Sequence, residues 1–82
     1  MGLQEEILEK IIQRAAEIFK KAPSELNANT KFEEDLKAKS VNLVQIIAVL
    51  EDSLDVQINF MQFRRNKTLG EAAAFVAGLL GG

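Results

Sequence analysis

Apolar residues recur at helical spacing in three stretches of this chain, and a long segment of turn residues separates the first two. Leu3, Ile7, Ile11, Ala15, Ile18 and Phe19 form the first stripe, widened by Leu8 and Ile12. Glu5, Glu6 and Glu9 crowd its first turns and Lys20 and Lys21 its end, which complements the helix dipole. Pro23 cannot continue a helix, so the pattern predicts one over about residues 3–21. Residues 22–39 carry turn chemistry at Pro23, Asn27, Asn29 and Thr30, with Leu26, Phe32 and Leu36 as spaced apolar anchors. Leu43, Ile46, Ile47, Leu50 and Leu54 then mark a helix from Ser40 to about Ser53. Val44 and Val49 flank its stripe, and Asn42, Gln45, Glu51 and Asp52 take the exposed positions.

The remainder is shorter. Asp55 to Ile58 leaves the second helix, with Ile58 turned back to the core. Phe60, Met61 and Phe63 fit a helix of one or two turns ahead of Arg64-Arg65-Asn66-Lys67. Thr68-Leu69-Gly70-Glu71 reads as a capping box, in which Thr68 accepts from the third helical amide and Glu71 reaches back to the Thr68 amide. Ala72, Ala73, Phe75, Val76 and Leu79 carry the last helix, which Gly78, Gly81 and Gly82 end. Three longer helices, one short one and a long first loop predict an all-α four-helix bundle. It is expected as one domain over 1–82, with a core over about 3–79 and a glycine-rich tail over 78–82.

The residue inventory excludes several functions. There is no His and no Cys, so the usual general bases and thiolate nucleophiles are missing and no metal site is expected. The chain is not expected to be an enzyme. An amphipathic N-terminus without a signal pattern, and an apolar run confined to Ala72–Leu80, give the expectation of a cytoplasmic monomer without membrane insertion. Met1-Gly2 is followed by Glu6 where a myristoylation motif takes Ser or Thr. Charge is uneven: residues 40–58 hold Glu51, Asp52 and Asp55 and no base, whereas residues 59–82 hold Arg64, Arg65 and Lys67 against Glu71 alone. Three bases without interleaved aromatics read as a solvated face or an acidic-partner contact, not as a nucleic-acid site.

The motif with chemical meaning is Phe32-Glu33-Glu34-Asp35-Leu36-Lys37-Ala38-Lys39-Ser40-Val41. It resembles the modification site of acyl carrier proteins, Phe-x-Glu-Asp-Leu-Gly-x-Asp-Ser-Leu, with Phe32, Glu34, Asp35, Leu36 and Ser40 in register. The pattern extends over roughly residues 4–77. Lys37 stands where that family usually has Gly, Lys39 where it has Asp, and Val41 where it has Leu. The literal tripeptide Asp52-Ser53-Leu54 lacks the preceding loop and lies at the end of a helix, so Ser53 is not the matching serine.

The resemblance implies 4′-phosphopantetheine on Ser40, with Lys39 a candidate contact to its phosphate. Since Lys39 offers no capping acceptor, the unmodified Ser40 is expected to cap the second helix. It also implies an acyl pocket lined by Ile46, Ile47, Leu50, Ile58, Phe63, Ala72 and Phe75, with Phe63 standing where a small residue is common. Partner docking would fall on Lys39, Val41, Asn42, Gln45, Glu51, Asp52, Arg64 and Arg65. The implied partners are a phosphopantetheinyl transferase and acyl-transferring, condensing or acyl-activating enzymes. The departures in charge imply partners other than those of housekeeping fatty acid synthesis and a dedicated pathway, to a secondary lipid, a polyketide-type product or a modified surface sugar; the alternative is fatty acid synthesis with the usual partners docked more weakly. Two rivals stand beside this reading: a peptidyl or aminoacyl carrier, and an unmodified helical interaction module with the same fold.

Overall fold

A computed structural model describes residues 2–81; Met1 and Gly82, the last residue of the expected tail, lie outside it. Four α-helices follow in order: α1 (Leu3–Phe19), α2 (Ser40–Leu54), α3 (Phe60–Arg64) and α4 (Leu69–Leu79). A single 3₁₀ turn, Pro23–Glu25, opens the long loop. This is the all-α bundle of three longer helices and one short one that the pattern predicts.

The apolar stripes meet where expected. Ile7 and Ile11 of α1, Ile46 and Leu50 of α2, Phe63 of α3 and Leu69 and Val76 of α4 are the largest fully buried side chains. The loop contributes Leu26, Phe32 and Leu36 to the same core. α1 packs against both α2 and α4, and α3 packs against α2.

Helix ends depart from the sequence reading in instructive ways. α1 stops at Phe19 because Lys20 turns left-handed, with φ +56°, so Lys20 and Lys21 lie outside the last turn. The Lys21 amide donates to the Ala16 carbonyl at 3.0 Å, closing the end. Pro23 therefore opens the 3₁₀ turn and does not end α1. The capping box of α4 is half as expected: Thr68 Oγ1 accepts from the Glu71 amide at 3.1 Å. The Glu71 carboxylate passes over Thr68 and accepts from the Lys67 amide at 2.8 Å. Gly78 lies inside α4; the chain turns only at Gly81, with φ +81°.

Two tethers hold the segments around the bundle. At the end of α2, Asp55 turns left-handed and the Ile58 amide donates to Glu51 Oε2 at 2.8 Å. The loop is stitched to the start of α4 by three backbone bonds: Phe32 amide to Lys67 carbonyl, Leu69 amide to Thr30 carbonyl, and Gly70 amide to Ala28 carbonyl, at 3.0, 3.0 and 2.9 Å. The last requires close backbone approach, since a Cβ on Gly70 would meet Ala28 Cβ and its carbonyl oxygen at 2.9 Å.

Candidate functional site around Ser40

The segment ahead of α2 is shaped by its own polar side chains. Lys31 donates its amide to Asp35 Oδ2 at 2.8 Å, and the Leu36 amide donates to the Lys31 carbonyl at 3.2 Å. Phe32 and Leu36 are thereby turned inward while Glu33, Glu34 and Asp35 face solvent. Lys37 takes a left-handed conformation, φ +54°, which redirects the chain toward α2.

Lys39, not Ser40, occupies the N-cap position of α2. The expected cap by the serine hydroxyl is therefore corrected. The Asn42 side chain supplies what Lys39 lacks: Asn42 Oδ1 accepts from the Lys39 amide at 2.8 Å. The Lys39 carbonyl accepts from the Asn42 and Leu43 amides at 2.9 and 3.1 Å. Ser40 is left as the first helical residue, exposed, with no hydrogen bond to its hydroxyl among the described residues. The Ser40 and Val41 amides likewise have no partner among the described residues. A free hydroxyl beside two free amides at the positive end of a helix suits an anionic oxygen ester.

Beside Ser40 lies an open groove of about 800 Å³ between the loop, the start of α2 and α3. Its walls carry Lys31, Lys39, Arg64, Arg65 and Lys67, with Glu33 and Glu34 as the acids. Lys31 and Glu34 pair at 3.4 Å. Lys39 is thus on the same groove as Ser40, together with Arg64 and Arg65 from the basic run. The residues present fit a phosphodiester-linked arm at this end of α2: cations, free amides and an accessible hydroxyl converge there.

The other sequence-assigned residues divide into two sets. Ile46, Ile47, Leu50, Ile58, Phe63 and Ala72 are all buried in the common core, whereas Phe75 is only half-buried against it. Of the surface set, Val41, Gln45, Asp52, Arg64 and Arg65 are exposed. Asn42 and Glu51 are half-buried, contrary to expectation, because each carboxamide or carboxylate is turned onto a backbone amide. Sequence reasoning missed two features. Met61 lines the groove and is exposed. Asn59 caps α3, with Oδ1 accepting from the Gln62 amide at 3.0 Å, and Asn66 Nδ2 donates to the Phe63 carbonyl at 3.0 Å. An Asn on each flank of a short apolar run was the available signal.

Among the described residues no group of three or more potential metal ligands gathers, and no helix is long and apolar enough to cross a membrane.

Comparison with known proteins bears on the same region. The family described as "Phosphopantetheine attachment site" matches residues 9–76. The acyl carrier protein of Lactobacillus acidophilus is 34% identical over 73 residues, covering 89% of this chain and 91% of its own length. Those of Prochlorococcus marinus and a Sulfurovum strain are 30% and 29% identical over 89% and 93% of this chain, and 91% and 96% of their own lengths. The cofactor is accordingly a covalently attached 4′-phosphopantetheine. Proteins of this kind carry groups for acyl-handling enzymes and depend on a phosphopantetheinyl transferase for the arm. On its fold and on these matches, the chain belongs to the acyl carrier protein family.

Proposed function

We propose that Ser40 is the attachment point of the arm, and that the chain holds acyl groups for condensing, acyl-transferring or acyl-activating enzymes of fatty acid synthesis or a specialised lipid or polyketide-type pathway in the cytoplasm. The observation that carries this reading is the unengaged Ser40 hydroxyl at the N-terminus of α2, beside a cation-lined groove. Ser53 supports it by contrast. It lies in the last turn of the same helix, where the dipole disfavours an added anion. When attached, the arm supplies a thiol that bears acyl groups as thioesters, which this cysteine-free chain lacks among its own side chains. The chain's residues do the rest. Lys39, which lines the same groove as Ser40, would offset the charge of the phosphodiester, and the helix N-terminus would add its partial charge.

Phe63 limits the interior. It is fully buried in the core that also holds Ile46, Leu50 and Ala72, so an acyl chain entering the bundle has to contend with an aromatic ring already in place. Long chains gain about 0.8 kcal/mol per buried methylene, offset by the cost of moving that ring. This favours short cargo, or cargo held outside the bundle. NMR of an acylated form tests it: short cargo should leave the Ile46, Leu50 and Phe63 resonances in place.

The attachment site is tested by intact mass after incubation with coenzyme A and a promiscuous phosphopantetheinyl transferase. Wild type and Ser53→Ala should gain one phosphopantetheine and Ser40→Ala none. A gain in Ser40→Ala overturns the assignment.

A further inference from the structure

The surface around Ser40 has an apolar centre and a cationic rim. Val41, Val44 and Met61 are exposed at 60%, 51% and 55%. Val44 lies one turn beyond Ser40 on α2, Val41 and Val44 are i, i+3 neighbours, and Met61 shares the groove wall with Ser40. Around them stand Lys39, Arg64, Arg65 and Lys67, all exposed and without a carboxylate partner among the described residues; the loop wall opposes them with two acids, Glu33 and Glu34, of which Glu34 pairs with Lys31, so the groove keeps an excess of cations. The acids of α2 are elsewhere: Glu51 is held on the Ile58 amide, and Asp52 sits about 18 Å along the helix from Ser40 at 1.5 Å per residue.

We propose that this face docks onto an acidic partner surface: an apolar protrusion on an arm-handling enzyme enters between Val41, Val44 and Met61, and Asp or Glu side chains around it pair with Lys39, Arg64, Arg65 and Lys67. The proposal rests on the reading of Ser40 as the arm site, since that reading makes this the face an arm-handling enzyme approaches. An exposed apolar centre gains by desolvation on docking, and arginines on the rim supply planar, paired recognition of carboxylates. The rim charges steer encounter and reject basic surfaces. A nucleic acid fits less well. Its phosphate backbone offers nothing to the three apolar side chains, and the chain's net charge of −2 opposes a polyanion at long range.

The test uses the unmodified chain, labelled with nitrogen-15, and two helical peptides sharing one Leu-Phe apolar face, flanked by Glu in one and by Lys in the other. The Glu-flanked peptide should shift the amides of Val41, Val44, Met61, Arg64 and Arg65. Its affinity should fall about fivefold or more between roughly 50 and 300 mM salt. R64E/R65E/K67E should lose that binding, and the milder R64Q/R65Q should weaken it. Circular dichroism checks that each variant keeps its helices. Equal binding of the Lys-flanked peptide, or no shift with either, overturns the proposal, and so does tighter binding of a single-stranded DNA oligomer at the same amides. No arm is needed for these readings, so failure of docking and failure of Ser40 to accept the arm are separate results.

Discussion

The ring of Phe32, in the loop, meets the ring of Phe63, in α3, with centroids 5.9 Å apart and planes tilted by 55°. Both are buried, at 4% and 0% exposure, and Phe32 lines the groove beside Ser40. The pair joins the loop to α3, the two elements that form opposite walls of that groove. Such tilted contacts contribute about 0.5–1.5 kcal/mol beyond the burial of the rings. A double-mutant cycle with Phe32→Leu and Phe63→Leu, followed by urea unfolding, should return a coupling of that size. Phe63→Ala alone should cost about 3–5 kcal/mol, a large share of a small domain's stability.

Lys37 is held left-handed at the position where the motif it resembles carries Gly. A side chain there costs about 1 kcal/mol, and Gly returns part of that through greater freedom in the unfolded chain. Lys37→Gly should therefore stabilise by about 0.5 kcal/mol, raising Tm by roughly 2–4 °C in thermal unfolding.

Gly70→Ala should act in the opposite direction. The new Cβ would meet Ala28 Cβ and the Ala28 carbonyl oxygen, and the helix start cannot move away without breaking the Gly70–Ala28 hydrogen bond. A loss of about 1–3 kcal/mol is expected. Adding Ala28→Gly should recover only part of it, because the backbone oxygen remains; chemical denaturation of the three variants measures this.

Glu51 and Asp52 are neighbours with different work. Glu51→Ala removes the acceptor of the Ile58 amide and should cost about 1–2 kcal/mol, whereas Asp52→Ala should change stability by less than about 0.5 kcal/mol. Amide exchange at Ile58 should quicken only in the first variant.

Thr68→Ala removes the acceptor for the Glu71 amide and should cost about 1 kcal/mol by urea unfolding. Glu71 keeps its hold on the Lys67 amide in that variant, so the carbonyl of Lys67 should still receive the Phe32 amide and the loop should stay attached.

Helix existence was legible because α1, α2 and α4 each bury one face of a periodic stripe. Even short α3 could be placed from Phe60, Met61 and Phe63. The start of the second helix was legible in the motif, and α2 does begin at Ser40. Helix ends were less legible. Lys20 and Asp55 adopt left-handed conformations without the Gly that would announce them, so Pro23 drew a boundary that Lys20 had already made. The cap of α2 was misread because Asn42 reaches backward, a role invisible when Asn42 is counted only as a polar surface residue. The groove was not legible, since it forms from loop, α2 and α3 residues whose proximity no local pattern encodes. Met61 belongs to it: the sequence places it only in the short helix, and the structure shows it exposed on the groove while Phe63 packs inward.

The three backbone bonds between residues 28–32 and 67–70 give the groove unequal walls. One wall, with Lys31 and Phe32, is anchored to the start of α4. The other, with Met61 and Arg64, rides on a five-residue helix fastened mainly by Phe63 and two asparagine caps. The wall with fewer backbone bonds is the softer one, so widening of the groove is expected to displace Met61 and Arg64 before Lys31 and Phe32.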